Sequence, residues 1–264
     1  VRVATMACTA STPLFTGTTT TTITIIYGTR GGISDVGKFA VQQASQMPHV
    51  AVRAIALYDG NAETNDPGHE ADVTDDALKA ALAQALRTFG APVVDVNSPG
   101  AAAALEAAVD GADAVVCAFS SRQPELPRYL AVGMRKVVAA MGEKRVQRLV
   151  ALSSFGIGDD FLPISPIKVL WACLLRTFLT AAARDLHAFE AAVEASHLDY
   201  ALLRPVGLTP SEAAIGRYEM RTARGQGGIK LELAKADMAR CCLDEALKPT
   251  IRRGVATVGS AQTS

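Results

Sequence analysis

Short apolar and β-branched runs alternate with amphipathic stretches along most of the chain. The run at 112–119 is apolar at nearly every position, as in a strand buried on both faces, and the run at 22–27 has strand length and composition. We predict strands at 22–27, 50–58, 92–96, 112–119, 148–153, 198–203, 218–222, 229–233 and 254–258. We predict helices at 34–47, 74–89, 99–109, 124–141, 166–195 and 237–247. This alternation predicts an α/β fold with a doubly wound parallel sheet and right-handed crossovers.

The two ends of this pattern set the expected domain organisation. Residues 1–21 are rich in threonine and lack the apolar stretch of a secretory signal, so we expect a flexible tail and a cytoplasmic protein. Residues 22–264 are expected to form a single domain. The longest apolar stretch, 169–183, is interrupted by Arg176 and is shorter than the roughly 20 residues that span a bilayer, so we expect no transmembrane segment.

Composition excludes several classes of function. The chain has 264 residues, with 26 Lys and Arg against 26 Asp and Glu, and this balance argues against a nucleic-acid-binding protein with a basic face. The five cysteines, at positions 8, 117, 173, 241 and 242, follow no zinc-binding spacing. We therefore expect buried thiols in a reducing compartment and no metal site.

The segment after the first predicted strand carries the strongest candidate chemistry. It reads GTRGGISDVG from Gly28 to Gly37 and lies between a strand and a helix. A dinucleotide diphosphate needs close backbone approach and N–H groups at a helix N-terminus, and glycines permit both. Gly28 permits a tight turn, and Gly31 or Gly32 permits the phosphates to approach. The position of this loop predicts a dinucleotide-binding site.

Together with four later blocks, this loop resembles the atypical short-chain dehydrogenase/reductases, which include NmrA-like and flavin/biliverdin-reductase-like proteins. The loop is similar to the family's G-x-x-G-x-x-G. The further blocks, in the family's order, are Asp95-Val96 followed by GADAVV at 111–116, RLVALSS at 148–154, SHLDYALLRP at 196–205 and ADMA at 236–239. The resemblance covers roughly residues 23–258. It implies a Rossmann-like doubly wound parallel sheet with a small C-terminal substrate region, within about 155–183 and 206–235.

Two positions depart from the family pattern. The third glycine is expected at position 34, which is serine, and the next glycine is Gly37, as if three residues were inserted. The Y-x-x-x-K dyad of typical members is absent, because Ile164 stands where tyrosine would precede Lys168. That tyrosine normally exchanges the substrate proton, so carbonyl–alcohol interconversion by the usual route is not expected.

The resemblance implies a set of cofactor-binding residues at the carboxyl ends of the strands. The diphosphate would lie on Gly28, Thr29, Arg30, Gly31, Gly32 and Ile33. The adenosine would meet Tyr58, Asp59, Asp95 and Val96, and the nicotinamide half would meet Ala118, Phe119, Ser120, Ser153, Pro205 and Val206.

The choice between NADP and NAD depends on two charged residues. Arg30 favours NADP, because a guanidinium can pair with the 2′-phosphate. Asp59 favours NAD, because its carboxylate would accept from a 2′-hydroxyl. We predict NADP, with NAD as the alternative.

The resemblance also implies two candidate catalytic residues. Ser154 matches the catalytic serine of typical members, and the alternative is a serine that satisfies backbone groups at a strand end. His187 lies one residue from the histidine of an Asp-His pair in some flavin-reductase-like members, and Asp185 precedes it. The alternative for His187 is a histidine that faces solvent.

The apolar segment 163–183, which contains Trp171, is expected to flank the substrate. It is interpreted as a core helix, a lid over an apolar substrate, or a contact with a protein partner, a second copy or a membrane surface. We predict an NAD(P)H-dependent oxidoreductase that transfers hydride to a flat, apolar small molecule of the flavin or quinone type. The main alternative is a non-catalytic redox sensor or accessory subunit. A sugar-nucleotide epimerase is disfavoured by the missing tyrosine.

Overall fold

The computed structural model describes residues 20–28, 35–58, 90–119, 129–157, 180–210, 216–222 and 229–261. Within these residues the chain forms an α/β fold around a mostly parallel sheet. The predicted helix at 74–89, most of the apolar segment 163–183 and the N-terminal residues 1–19 lie outside the described part.

The strands of the described chain are β1 Thr21–Gly28, β2 Val50–Tyr58, β3 Val93–Asp95, β4 Ala114–Ala118, β5 Arg148–Leu152, β6 Asp199–Pro205, β7 Gly207–Thr209, β8 Tyr218–Arg221, β9 Glu232–Ala234 and β10 Gly254–Ser260. Eight of them form the central sheet, in the order β3-β2-β1-β4-β5-β6-β10-β8. All neighbours in this sheet are parallel except β8, which runs antiparallel to β10 at the edge. A separate parallel pair is formed by β7 and β9.

Helices cover both faces of the sheet. They are α1 Asp35–Ser45, α2 Ala101–Val109, α3 Tyr129–Glu143, α4 Thr180–Glu194 and α5 Lys235–Leu247. The buried side chains of α1 and α5 share one apolar cluster with one face of the strands, and those of α2, α3 and α4 share a second cluster with the other face. This arrangement confirms the predicted doubly wound fold.

The structure differs from the sequence prediction at the C-terminal elements. Strand β7 is not predicted, because its three residues are too few to show a hydrophobic period. Helix α5 begins at Lys235, two residues before the predicted Asp237, and its cap residue Ala234 makes no side-chain hydrogen bond. Alanine is not a typical capping residue, so the sequence pattern predicted the start of the helix at Asp237, the first acidic residue.

A buried ionic cluster closes the amino edge of the sheet. The Arg148 guanidinium, at the start of β5, donates to the Glu245 carboxylate at 2.7 Å and to the Ile251 carbonyl at 2.9 Å. The same carboxylate accepts from the backbone N–H groups of Thr250 and Ile251 and from the Thr250 hydroxyl. Burial lowers the pKa of Arg148, and the carboxylates of Glu245 and Asp199 act in the opposite direction. Glu245 therefore holds α5, the turn before β10 and β5 together.

Three of the cysteines, Cys117, Cys241 and Cys242, are buried and form no disulfide bond within the described residues. Burial raises the pKa of the Cys117 thiol, and it raises the pKa of Cys242 to about 12. Both groups are therefore neutral thiols at physiological pH.

No helix within the described ranges has the length and apolar character needed to cross a membrane.

Candidate functional site

The carboxyl ends of β1 and β4 lie side by side, at the point where the strand order reverses direction. Strand β1 pairs with β2 on one side and with β4 on the other. The connections after β1 and after β4 therefore leave in opposite directions along the sheet, which opens a crevice at this edge. In open α/β sheets, ligands bind in such a crevice. Gly28 ends β1 there, and Ala118 ends β4 beside it.

The side chain of Tyr27, immediately before Gly28, fills a slot formed by small residues. Its neighbours in the sheet register are Ala56 and Ala118. Helix α1 crosses the ring at Gly37, where an added Cβ would lie 2.5 Å from the Tyr27 Cβ and 3.0 Å from its Cγ. Gly37 therefore permits α1 to pack directly against β1, which is the role of the third glycine in dinucleotide-binding loops.

The contact between Gly37 and Tyr27 bears on the departure from the family pattern at position 34, where serine stands in place of the third glycine. In G-x-x-G-x-x-G the first and third glycines are separated by five residues, whereas the eight residues 29–36 separate Gly28 from Gly37. The helix-packing glycine is present, and the additional residues lie between it and the strand. Thr29, Arg30, Gly31, Gly32 and Ile33 themselves lie outside the described residues, as does Asp59.

The predicted adenosine side of the crevice consists of residues at the ends of β2 and β3. The Val96 N–H donates to the Tyr58 carbonyl at 2.8 Å, and the Val96 carbonyl accepts from Lys136 of α3 at 2.5 Å. The Asp95 carboxylate accepts from the Asn97 N–H at 2.9 Å. The structure thus brings Tyr58, Asp95 and Val96 together and fixes their backbone, and Val96 is fully buried.

The predicted nicotinamide side is framed by aromatic packing at the end of β4. Phe119 follows Ala118 and stacks edge-to-face on Phe189 of α4, with ring centroids 5.9 Å apart. Its ring also lies 6.5 Å from that of Tyr129, the first residue of α3. Phe119 therefore packs against both α3 and α4, and the three rings form one apolar cluster. Ser120 lies outside the described residues.

A buried polar cluster at the ends of β5 and β6 was missed by the sequence reasoning. The Ser153 hydroxyl donates to the Glu190 carboxylate at 2.5 Å, and both carboxylate oxygens accept from Arg204, at 2.9 and 2.7 Å. All three side chains are buried. The only proton on the Ser153 hydroxyl is committed to Glu190, so Ser153 can offer a ligand only acceptor lone pairs.

Ser154 has a different environment. It is half-buried, and its hydroxyl donates a long hydrogen bond of 3.3 Å to the Phe155 carbonyl. The backbone on each side is fixed, because the Ser153 N–H donates to the Leu203 carbonyl and the Phe155 N–H donates to the Pro205 carbonyl. Pro205 and Val206 are buried beside it at the end of β6. Ser154 is therefore held on a rigid edge with a hydroxyl that can donate to a ligand.

His187 and Asp185 occupy different sides of α4. His187 is exposed, whereas Asp185 is buried and accepts from the N–H groups of Leu130 and Ala131, at 2.9 and 3.0 Å. Asp185 and His187 are two positions apart, which corresponds to a rotation of about 200° around the helix axis, and this explains why their side chains face opposite sides. Asp185 thus caps the first turn of α3, and the structure places His187 on the outer surface of α4.

The described parts of the predicted substrate region are tied to the carboxyl edge. Strand β7 follows β6 directly and pairs with β9. The Asp237 carboxylate in the first turn of α5 accepts from the Gly216 N–H at 2.7 Å, where Gly216 has a φ of 71°. These contacts hold residues on both sides of the segment 211–215 against the sheet.

Comparison with known proteins identifies the family of the chain. The sequence model of the NAD(P)H-binding family matches residues 79–249. The chain belongs to the NAD(P)H-binding family. The matched residues begin after the segment from Gly28 to Gly37. A search of curated proteins found no match.

Solved structures share the fold at low sequence identity. A short-chain dehydrogenase/reductase from Veillonella parvula, in complex with NADP, has a TM-score of 0.60 at 16% identity, covering 91% of this chain and 94% of its own. The anaerobillin reductase ChuY from Escherichia coli has a TM-score of 0.59 at 21% identity, covering 91% and 98%. An oxidoreductase from Lactococcus lactis has a TM-score of 0.57 at 16% identity, covering 91% and 92%.

The described residues fit a dinucleotide at this edge. The crevice lies at the reversal of strand order, α1 starts beside it, and Gly37 sets that helix close to β1. The fully buried Tyr27 hydroxyl, at the same end of β1, has no hydrogen-bond partner in the part of the chain that the structure describes. Burial raises the pKa of Tyr27, so the group remains a neutral donor.

Replacing Tyr27 by phenylalanine is expected to raise the free energy of unfolding by about 1 kcal/mol, because it removes a buried hydroxyl that has no partner among the described residues. Tyr218→Phe is the matched control, since the Tyr218 hydroxyl donates to the Asp244 carboxylate at 2.7 Å. That variant is expected to lose about 1 kcal/mol. Urea unfolding followed by circular dichroism measures both, and a stability loss in Tyr27→Phe would contradict the assignment.

Proposed function

We propose that the protein is an NADPH-dependent reductase that delivers hydride to a flat, apolar acceptor of the flavin or quinone type. The observation that carries the proposal is the contrast between the two serines at the end of β5. The Ser153 hydroxyl donates a short hydrogen bond to the buried Glu190 carboxylate, whereas the Ser154 hydroxyl donates only a long one, of 3.3 Å, to the adjacent Phe155 carbonyl, which a ligand acceptor can replace. With isoleucine at position 164 instead of the dyad tyrosine, Ser154 is the candidate hydrogen-bond donor to an acceptor.

An acceptor of this kind suits the residues around Ser154. When bound, the reduced nicotinamide supplies the hydride, and a flavin or quinone can take its proton from water. The strand ends carry the apolar residues Ala118, Phe119 and Val206, whose side chains are buried in the two core clusters. Ser154 would donate to an oxygen or ring nitrogen of the acceptor and orient it. Two structural neighbours support a reductase, since one is named an anaerobillin reductase and one was solved with NADP.

The preference for NADP over NAD is part of the proposal and rests on Arg30. A guanidinium pairs with a phosphate through two parallel N–H groups, which would favour the 2′-phosphate of NADP. The segments 155–183 and 206–235 are proposed to enclose the acceptor. His187 is not needed in this scheme, because its side chain faces outward from α4.

The test measures the binding of NADPH and NADH first and the oxidation of NADPH by an added acceptor second. Dissociation constants for NADPH and NADH come from the quenching of protein fluorescence, and NADPH oxidation with FMN or menadione is followed at 340 nm. Ser154→Ala is expected to lower kcat by about tenfold while leaving NADPH affinity unchanged, since one hydrogen-bond donor to the acceptor is lost. Ser45→Ala, a serine at the exposed end of α1, is the control and is expected to match the wild type.

A second function is favoured by the missing Tyr–Lys dyad: a non-catalytic NAD(P)-binding sensor or accessory subunit. In that case the wild type binds the dinucleotide but oxidises it with neither FMN nor menadione. The apolar segment 163–183 would then be the proposed contact with a protein partner or a second copy. Turnover that depends on Ser154 would exclude this alternative, and absence of dinucleotide binding would exclude both.

A further inference from the structure

Helices α1 and α5 pack against each other on one face of the sheet. Helix α1 follows the loop after β1, and α5 follows β9, which pairs in parallel with the strand that continues directly from β6. Both helices pack in the same apolar cluster on one face. The Gln43 amide of α1 donates to the Ala236 carbonyl of α5 at 2.9 Å, so the two helices are in direct contact.

An ion pair joins the first residues of these two helices. The Lys235 ammonium donates to the Asp35 carboxylate at 2.5 Å, between residues that are 200 positions apart in sequence. The side chains are only 21% and 28% exposed. Asp35 is the first residue of α1, the helix that follows the loop after β1, so the ion pair lies at the end of α1 that is nearest the carboxyl end of β1.

The carboxylate of Asp35 creates an electrostatic problem for an anionic cofactor. A diphosphate at this crevice would lie near the first turn of α1, where the helix dipole and the free N–H groups attract it. Asp35 places a negative charge in that same turn, and at such short range in a partly buried site the repulsion would be substantial. Lys235 supplies the compensating positive charge from another helix.

We propose that Lys235 is an affinity-determining residue for the cofactor diphosphate, acting by neutralising Asp35 and by adding a cation at the crevice. The proposal rests on the proposed dinucleotide binding at this edge. It assigns to the start of α5 a role in recognition of the dinucleotide, in addition to that of the glycine loop. Because the diphosphate is common to both dinucleotides, Lys235 acts equally on NADPH and NADH.

Substitutions that remove the positive charge of Lys235 or the negative charge of Asp35 test this role of Lys235. Lys235→Gln is expected to weaken the binding of NADPH and of NADH by about fivefold, because a cation near the phosphates is lost. Asp35→Asn removes the repelling charge with nearly the same shape and is expected to tighten both by about threefold. The double variant is expected to lie close to the wild type, and Lys235→Arg to retain wild-type affinity. Isothermal titration at two salt concentrations should show a weaker salt dependence in Lys235→Gln.

Arg240→Gln is the matched control. Arg240 lies on the same helix and forms an ion pair with Asp244 at 2.9 Å, with its side chain 41% exposed. Removing its charge is expected to leave both dissociation constants unchanged. Shifts in the same direction for Lys235→Gln and Asp35→Asn, no shift in either, or a loss confined to NADPH would overturn the proposal. A wild type that binds neither dinucleotide would instead overturn the proposed function.

Discussion

Replacement of Glu245 by alanine is expected to lower the free energy of unfolding by about 3–5 kcal/mol, since it removes the closest carboxylate from a buried guanidinium and leaves it only the longer ion pair with Asp199, at 3.4 Å. The Arg148–Glu245 distance is 2.7 Å, and both side chains are almost completely buried. The same substitution removes the acceptor for the backbone N–H groups of Thr250 and Ile251. Urea unfolding monitored by circular dichroism measures the effect.

Arg240→Ala serves as the control for this experiment, because it breaks an exposed ion pair on the same helix. We expect a change below about 1 kcal/mol there. Should Glu245→Ala fail to accumulate as folded protein, Glu245→Gln preserves the shape and one acceptor oxygen, and a smaller loss is expected. A Glu245→Ala variant within 1 kcal/mol of the wild type would show that the cluster does not hold the amino edge.

Gly37→Ala is expected to cost about 3 kcal/mol and to weaken NADPH binding. The new Cβ would lie 2.5 Å from the Tyr27 Cβ, and that atom cannot move away by a side-chain rotation. Helix α1 must therefore shift from β1, at the upper end of the usual penalty for overpacking a core. The first turn of α1 moves with it, so the diphosphate loses contacts. Unfolding in urea and NADPH titration report the two effects.

Gly142→Ala provides the comparison, since Gly142 lies in α3 and an added Cβ would meet nothing within 4 Å. That variant is expected to gain up to about 1 kcal/mol, because alanine loses less conformational freedom than glycine on folding. In the double variant Tyr27→Ala/Gly37→Ala, the Cβ of residue 27 remains and no rescue is expected. Equal stability of Gly37→Ala and Gly142→Ala would refute the close contact.

The hydrophobic pattern was sufficient to predict the central sheet, because each buried strand is a nearly continuous apolar run. Strand β4 illustrates this, with all five residues buried between two helical layers. The doubly wound arrangement was predicted from the alternation of strands and helices and from the resemblance, whereas the order of the strands became known only from the structure. The edge strand β8 was predicted as a strand, but its antiparallel direction could not be read from four residues.

The polar parts of the site were harder to predict, because they depend on contacts between distant residues. Glu190 and Arg204 appear in sequence as ordinary charged residues of a helix and a strand, and only the packing of α4 on β6 shows that they pair and hold Ser153. Lys235 and Asp35 are joined only when α5 packs on α1. The role of Gly37 likewise required the position of the Tyr27 ring.

Asp185, which caps the first turn of α3, makes the carboxyl edge of the sheet electrostatically asymmetric. Helices α1 and α3 both start at this edge, so each could attract an anion through its first N–H groups. At α3 those groups are taken by the Asp185 carboxylate, which also presents a negative charge to an incoming ligand. An elongated molecule with its negative charge in the middle would therefore be disfavoured at α3 and favoured at α1, which would set the order of its two ends along the sheet.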